Sequence, residues 1–198
     1  MEKINSVPFN VYTEHRFRLS IEESLSLMSG GRFYKKDKGE SIYDAGKAAD
    51  TVYYLKSGSI KYHMIYPDGS DRTTAIAESP SFLGVMNLIP GQEVINYCTA
   101  VTECELYTCP ITVFMQRLKE RDLSDKFLEF CLGAFRHSYQ NLTSLLYQDR
   151  LQLVDSLRTN SDLTLQEIAD ILGCTRIHVS RLSKQLRDSK KKSGDNEE

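Results

Sequence analysis

The spacing of apolar residues changes along the chain from a period of two to a helical period near residue 110. Before that point, apolar and polar residues alternate over short runs that are separated by glycines, a pattern typical of short antiparallel strands. Pro67 to Ser70 predicts a hairpin turn between two of them. The predicted strands cover residues 32–34, 41–43, 51–56, 59–66, 72–77, 94–101 and 104–108.

Helices are predicted on both sides of this strand-rich region. Ser20 and Glu23 form a capping box that predicts a short helix ending at Gly30 and Gly31. Pro110 fits the first turn of a second helix, which runs to about Arg121. Further along the chain, the apolar spacing predicts a long helix over 124–148 and a shorter one over 151–160.

Residues 164–187 predict two short helices that are joined by a tight turn. Thr164 and Glu167 form a second capping box, and Gly173 supplies the positive φ that a sharp exit from a helix needs. Thr175 is the expected N-cap of the next helix, whose outward positions are polar or cationic. This layout is typical of a DNA-reading helix-turn-helix, in which arginine can form a bidentate pair with guanine.

The run QEIADILGCTRIHVSRLSKQL, residues 166–186, resembles the recognition motif of the CRP/FNR family of bacterial transcription regulators. The resemblance implies that double-stranded DNA is the partner. Ile177 stands where a base-reading glutamate is frequent in the family, and an isoleucine can at most contact a thymine methyl group. The predicted DNA-binding residues are Thr175, Arg176, Ile177, His178, Ser180, Arg181 and Lys184.

Residues 51–84 resemble the β-roll of the same family, which is also the cyclic-nucleotide-binding domain. In members that bind cyclic nucleotides, a Gly-Glu pair holds the ribose and an arginine holds the phosphate. Here Val85 follows Gly84, and no arginine lies between Arg72 and Arg117, so we expect an effector other than a cyclic nucleotide. The predicted pocket would suit a small apolar or aromatic effector, or be filled by its own side chains. It is lined by Leu83, Gly84, Val85, Met86, Asn96, Tyr97, Cys98 and Thr99.

The long helix carries apolar residues at alternating spacings of three and four, the pattern of a coiled-coil seam. The family resemblance implies that this helix pairs two subunits into a homodimer, whereas the alternative is that the stripe packs on its own roll. The predicted seam consists of Leu128, Cys131, Phe135, Ser138, Leu142 and Leu145.

Length and composition agree with a two-part protein. The 198 residues, 40% apolar and 26% charged, suffice for one medium domain and one small one. The expected class is α+β: a jelly-roll-like antiparallel β-roll over 1–122, a dimerisation helix over 123–149, and a helix-turn-helix domain over 150–198.

Charge is unevenly distributed along the chain. The net charge is −2, yet residues 173–198 hold seven bases and four acids, which leaves about −5 on the remainder. No apolar run approaches the roughly 18 residues of a membrane span, and the first ten residues lack the apolar core of a signal peptide. We therefore expect a cytoplasmic protein without a membrane partner.

Cysteines and histidines suggest no metal site, cofactor or catalytic centre. The five cysteines form no CxxC pair and are expected to be small buried hydrophobes, with a thiol redox switch among Cys98, Cys104 and Cys109 as the alternative. The four histidines are scattered, which disfavours a cupin-like metalloenzyme. His63 falls on the polar side of its strand and is expected to be solvated.

The C-terminus departs from the resembled family. After Arg187 the chain reads DSKKKSGDNEE without an apolar residue, where relatives place strands of a wing. These residues are expected to form a disordered tail. The helix-turn-helix domain, called the head below, would then lack most of the wing. The resemblance implies a transcription regulator that works with RNA polymerase. The alternative is a ligand-binding or protein-interaction module whose DNA-binding head is degenerate.

Overall fold

The computed structural model describes residues 9–13, 16–89 and 91–194, except for the side chains of 190–194. The helices in this part of the chain are α1 Ile21–Leu27, α2 Ile111–Glu120, α3 Ser124–Tyr147, α4 Arg150–Asn160, α5 Leu165–Leu172 and α6 Arg176–Gly194. The strands are β1 Arg32–Lys36, β2 Ser41–Tyr43, β3 Thr51–Ser57, β4 Ser59–Ile65, β5 Asp71–Glu78, β6 Ser81–Leu83, β7 Tyr97–Ala100 and β8 Cys104–Pro110.

The strands form two four-stranded sheets. The first has the order β1-β8-β3-β6 and the second has the order β2-β7-β4-β5. The registered pairs β1·β8, β3·β8, β3·β6, β2·β7 and β4·β7 are all antiparallel. An antiparallel roll followed by helices confirms the α+β class.

The described chain divides into two compact units. One holds residues 12–64 and 74–138, which include most of the roll, α1, α2 and the first part of α3. The other holds residues 9–11, 65–73 and 139–194, which include the tip of the β4–β5 hairpin, the end of α3 and the three C-terminal helices.

Helices pack on the outer face of the first sheet through an aromatic cluster. Phe17, Phe114, Phe127 and Phe130 are all buried there beside the strand residue Tyr54. The Phe17 and Phe127 rings meet edge to face with centroids 5.4 Å apart, a geometry that the ring quadrupoles favour. This cluster fixes α2 and the start of α3 against the roll.

A second cluster fills the interior between the two sheets. It contains Leu55 and Leu106 from the first sheet and Ile60, Cys98 and Ala100 from the second. Strand alternation places these residues on the inward faces. The interior of the roll is therefore lined by uncharged side chains.

The C-terminal unit has a small core of its own, built from the inward faces of its helices. Leu153, Val154 and Leu157 of α4 are buried, as are Ile168 of α5 and Val179 of α6. Between residues 150 and 194 the described backbone contains three helices and no strand.

Four differences from the sequence predictions exceed two residues. Residues 188–194, expected to belong to a disordered tail, continue α6 as helix, while 195–198 lie outside the described residues. Strand β6, only three residues long, was not predicted. Helix α1 ends at Leu27, before the two glycines, and β7 is shorter than predicted, since residues 94–96 and 101 lie outside it.

Candidate functional site

The helix-turn-helix begins with the predicted capping box. The Glu167 backbone N–H donates to Thr164 Oγ1 at 3.2 Å, and the Thr164 backbone N–H donates to Glu167 Oε2 at 2.7 Å. Helix α5 ends at Gly173, which adopts φ +60°, a left-handed conformation in which a side chain is strained. Both boundaries follow from local residues.

Thr175 starts α6 as predicted. Its Oγ1 accepts a hydrogen bond from the His178 backbone N–H at 3.2 Å. Val179 is then fully buried, whereas Ile177 is 68% exposed. The isoleucine therefore lies on the outward face with the polar residues rather than in the small core.

The outward face of α6 presents every residue predicted to contact DNA. The exposed residues are Thr175, Arg176, Ile177, His178, Ser180, Arg181 and Lys184. Between residues 176 and 189, Asp188 is the one acid against four bases, so the local potential is positive. A positive face of this kind attracts a polyanion and can donate hydrogen bonds to phosphates and base edges.

Two arginines meet the end of α5 beside the turn. Arg150 Nη1 donates to the Leu172 carbonyl oxygen, one of the acceptors that a helix end leaves unpaired. The Arg72 guanidinium lies against Gly173, and its Cζ lies 4.8 Å from the centroid of the Tyr66 ring. Both cations favour the negative end of the helix dipole.

Helix α3 carries a continuous apolar stripe that is open to solvent in the single chain. Its members are each more than half exposed and follow spacings of four and three: Leu128, Leu132, Phe135, Tyr139, Leu142 and Leu146. Three residues of the predicted seam, Leu128, Phe135 and Leu142, lie on this stripe, and Leu145 is exposed beside it. Cys131 instead packs against the aromatic cluster of the roll, and Ser138 Oγ lies 3.5 Å from Met86 Sδ.

The opposite side of α3 buries polar groups near its C-terminal end. His137, Asn141 and Ser144 are all buried. Asn141 Nδ2 donates to the Asn10 carbonyl oxygen at 2.5 Å, and the Asn10 backbone N–H donates to Asn141 Oδ1 at 3.2 Å. One amide side chain thereby satisfies both backbone groups of Asn10.

The eight residues predicted to line an effector pocket do not share one surface. Leu83 and Cys98 are buried in the interior of the roll, and Gly84 follows Leu83 at a turn next to Tyr43. Val85 packs on the aromatic cluster under the helices, while Met86 is exposed. The predicted residues on β7 are separated from one another as well, because neighbouring residues of a strand point to opposite faces of the sheet.

Tyr97 and Thr99 lie on the face of β7 opposite to Cys98. Their neighbour there is His63, whose Nε2 is 2.9 Å from Thr99 Oγ1 and whose ring centroid is 5.4 Å from that of Tyr97. Asn96 Oδ1 accepts from Asn87 Nδ2 at 3.0 Å, outside the strand. The expectation that His63 is solvated was wrong, since it is buried, although it does face away from the apolar interior.

Tyr43 and Tyr62 also lie in the interior of the roll, although neither was predicted to line the pocket. Both pair in register with Cys98, Tyr43 from β2 and Tyr62 from β4. The Gly84 backbone N–H donates to Tyr62 Oη at 3.2 Å. The inward position of Tyr62 could be predicted, because it alternates along the strand in phase with Ile60. Its proximity to Tyr43 depends on the register of the paired strands.

Three of the five cysteines, Cys98, Cys104 and Cys109, are buried as expected, whereas Cys131 and Cys174 are half-buried. Burial raises the pKa of the Cys98, Cys104 and Cys109 thiols, and it does the same for Cys131 and Cys174. A raised pKa suppresses the thiolate, which is the reactive form. Within the described residues, no three His, Cys, Asp or Glu side chains are grouped so that they could hold a metal ion.

Comparison with known proteins assigns both parts of the chain. Residues 34–121 match the cyclic nucleotide-binding domain, and residues 162–190 match the bacterial regulatory proteins of the crp family. The first match covers the roll, and the second covers the helix-turn-helix. No helix among the described residues is both long and apolar enough to cross a bilayer.

Individual relatives agree with this assignment. The global nitrogen regulator of Synechocystis sp. is 29% identical over 171 residues, which cover 77% of this chain and 76% of the relative. The cAMP-activated global transcriptional regulator CRP of Escherichia coli is 24% identical over 180 residues, covering 81% and 85%.

Among solved structures, a CooA mutant from Carboxydothermus hydrogenoformans has a TM-score of 0.72 at 18% identity, covering 90% of this chain and 88% of that one. This similarity shows a shared fold. With the roll matched to the nucleotide-binding domain and the head to the crp-family motif, the chain belongs to the CRP/FNR family of transcription regulators, which are not enzymes.

Proposed function

We propose that the protein is a homodimeric transcription regulator that binds a two-fold DNA site in the bacterial cytoplasm, works with RNA polymerase, and does not respond to cyclic nucleotides. The observation that carries this proposal is the outward face of α6, where a polar and cationic surface follows a well-capped turn. Arg181 and Ser180 are the residues assigned to base edges, and Arg176 and Lys184 are assigned to the phosphate backbone.

The exposed stripe of α3 supports the homodimer. Apolar side chains at alternating spacings of four and three are the pattern that pairs two helices, and here they face solvent in the single chain. Two-fold pairing would present two copies of α6 to half-sites about 34 Å apart. We assign the seam to Leu128, Leu132, Phe135, Tyr139, Leu142 and Leu146, in place of the predicted Cys131, Ser138 and Leu145.

The neutral roll interior supports an effector other than a cyclic nucleotide, or none. No arginine or lysine occurs between residues 73 and 116, and no Arg, Lys, Asp or Glu is buried among the described residues. A phosphodiester transferred into such surroundings would lack a counter-charge. If an effector exists, the lining favours a small apolar or aromatic molecule.

A DNA-binding measurement tests the proposal. Purified protein is titrated, by fluorescence anisotropy, against duplex from upstream of its own gene and against random duplex, at several salt concentrations. We expect preference for the upstream duplex and an affinity that falls steeply with salt. Equal affinity for both duplexes, with or without small aromatic additives, would contradict the regulator function.

A second candidate function is a ligand-binding or protein-interaction module whose head no longer reads DNA. The absence of any strand in the described backbone between residues 150 and 194 favours it, because the family that the sequence resembles places wing strands in this part of the chain. This candidate predicts no salt-dependent binding to either duplex. The same titration therefore separates the two functions.

A further inference from the structure

A row of three inward-facing residues crosses the second sheet of the roll. Tyr43 on β2 and Tyr62 on β4 each pair with Cys98 on the strand between them. Directly paired residues of neighbouring strands point to the same face, so the two phenols flank the Cys98 thiol. Cys98 is fully buried, and only 9% of Tyr43 is exposed.

Both phenol rings lie next to the turn at Gly84. Tyr62 Oη accepts the Gly84 backbone N–H at 3.2 Å. From the other side, Tyr43 is so near that a Cβ added at Gly84 would lie 3.2 Å from Tyr43 Oη and 3.4 Å from Tyr43 Cε1. Gly84 has φ +69°, which a glycine adopts without strain. The two rings therefore support this turn from inside the roll.

The surroundings of the row are neutral. Burial raises the pKa of the Tyr43 and Tyr62 phenols and of the Cys98 thiol, which keeps all three protonated at physiological pH. The neighbouring interior residues, such as Leu83 and Ala100, are apolar. The turn is thus held by two uncharged aromatic rings, in a domain whose relatives include cAMP-activated regulators.

We propose that Tyr43 and Tyr62 are a built-in occupant of the roll: their phenols hold the Gly84 turn as a bound small molecule would, so the roll needs no diffusible effector. The tethered rings act at a high effective concentration, which a free ligand of similar affinity cannot match. The consequence for DNA binding rests on the proposed regulator function, whereas the occupancy of the roll does not.

The two hydroxyl groups provide the first test. Tyr62→Phe leaves the Gly84 N–H without its acceptor, so we expect the Tm to fall by about 3–8 °C. Tyr43 Oη makes no hydrogen bond of normal length among the described residues, although Asn87 and Cys98 lie near it, so Tyr43→Phe should lower the Tm less than Tyr62→Phe does. Because both variants keep their ring, both should fold. The opposite order of the two Tm values would overturn the proposal.

Chemical rescue with phenol provides the second test. Tyr62→Ala opens a space of the size of one ring, and phenol at millimolar concentration should bind there and raise the Tm of the variant by several degrees. Wild-type protein should respond neither to phenol nor to cyclic AMP. The control is Tyr97→Ala, which removes a ring from the opposite face of the sheet. If Tyr62→Ala does not fold, Tyr43→Ala serves in its place.

The outcomes separate this proposal from the function of the head. A wild-type Tm that rises with phenol or cyclic AMP would show that the tyrosines are not the occupant. A Tyr62→Ala variant whose Tm does not rise with phenol would show the same. In the DNA titration, Tyr62→Ala should lose about tenfold in affinity for the upstream duplex and regain most of it with phenol. Wild-type protein that binds no DNA would refute the regulator function alone, since the Tm arm is measured without DNA.

Discussion

The guanidinium of Arg72 packs directly against Gly173 at the turn of the helix-turn-helix. A Cβ added at Gly173 would lie 2.7 Å from both Cζ and Nε of Arg72. The arginine is also held over the Tyr66 ring, which limits how far it can move aside. The hairpin tip and the turn thus restrict each other within the C-terminal unit.

Gly173→Ala should destabilise the protein by about 1.5–2 kcal/mol, measured by urea unfolding. About 1 kcal/mol comes from the left-handed backbone, and the rest comes from displacing Arg72. The control is Gly69→Ala, which has φ +80° but open space around it, and should lose about 1 kcal/mol. In protein that also carries Arg72→Ala, the extra loss of stability from Gly173→Ala should disappear. An equal loss from Gly173→Ala with and without Arg72 would refute the contact.

Arg181→Ala should weaken binding to the preferred duplex by about tenfold or more, because a bidentate contact to guanine contributes about 1–3 kcal/mol of discrimination. Binding to random duplex should change much less. The matched control is Lys119→Ala, which removes one exposed positive charge from α2, outside the head. Equal losses on both duplexes would assign Arg181 to phosphate contacts rather than to base reading.

Ile177→Glu should alter the preferred sequence rather than abolish binding. The exposed isoleucine can contact only a thymine methyl group, whereas a glutamate can accept a hydrogen bond from cytosine N4. Selection from a randomised duplex pool by each protein checks this prediction. Identical selected sequences would place residue 177 outside the groove.

Leu142→Asp should convert dimers into monomers, because it places a charge in the proposed apolar seam. Sedimentation velocity at micromolar concentration measures the change. Ile21→Asp, a similar change of an exposed apolar residue on α1, should leave the dimer intact. A Leu142→Asp variant that remains dimeric would move the interface away from α3.

The register of α3 provides a related comparison. Leu132→Asp should also give monomers that remain folded, since Leu132 is exposed. Cys131→Asp should instead lower the stability of the roll, because Cys131 packs on the aromatic cluster. Thermal melts recorded together with sedimentation separate the two effects.

Glu105→Gln should make stability less dependent on pH in the acid range. Glu105 contacts Lys56 Nζ at 3.1 Å and Lys35 Nζ at 3.4 Å, and the hydrogen bond from Lys56 lowers its pKa. A lowered pKa adds stability above the unfolded value near 4.5, and this stability is lost as the pH falls through the folded value. Urea midpoints from pH 6 to 3 should therefore fall less in the variant than in wild type.

The exposed Glu93, changed to Gln, controls for the loss of one negative charge. Its urea midpoints should follow those of wild type across the same range. If the urea midpoints of Glu105→Gln follow those of wild type and of Glu93→Gln at every pH, the two lysine contacts contribute no measurable stability, as is common for surface pairs.

Local chemistry made the helix-turn-helix predictable from sequence. The capping box at Thr164, the turn at Gly173 and the N-cap at Thr175 each depend on residues within three positions, and the structure has all of them. The same holds for the start of α1 at Ser20. Such elements need no information about the rest of the fold.

Long-range packing decided what the sequence left open. Cys131 and Leu132 are adjacent and both apolar, and only the position of the roll makes Cys131 half-buried and leaves Leu132 exposed. The alternation of β4 gave the facing of Tyr62 and His63, but the burial of His63 and the meeting of Tyr62 with Tyr43 depend on strand pairing. The residues predicted to line one pocket lie on different surfaces for the same reason.

Helix α3 distributes its residues in a way that links regulation to subunit abundance. Its polar side, with His137, Asn141 and Ser144, is already covered, while the side left open is the apolar one. If pairing covers that side as proposed, then in dilute conditions the number of pairs grows as the square of the number of subunits. Halving the amount of protein would then reduce operator-competent regulator about fourfold, so gene dosage itself would act as an input.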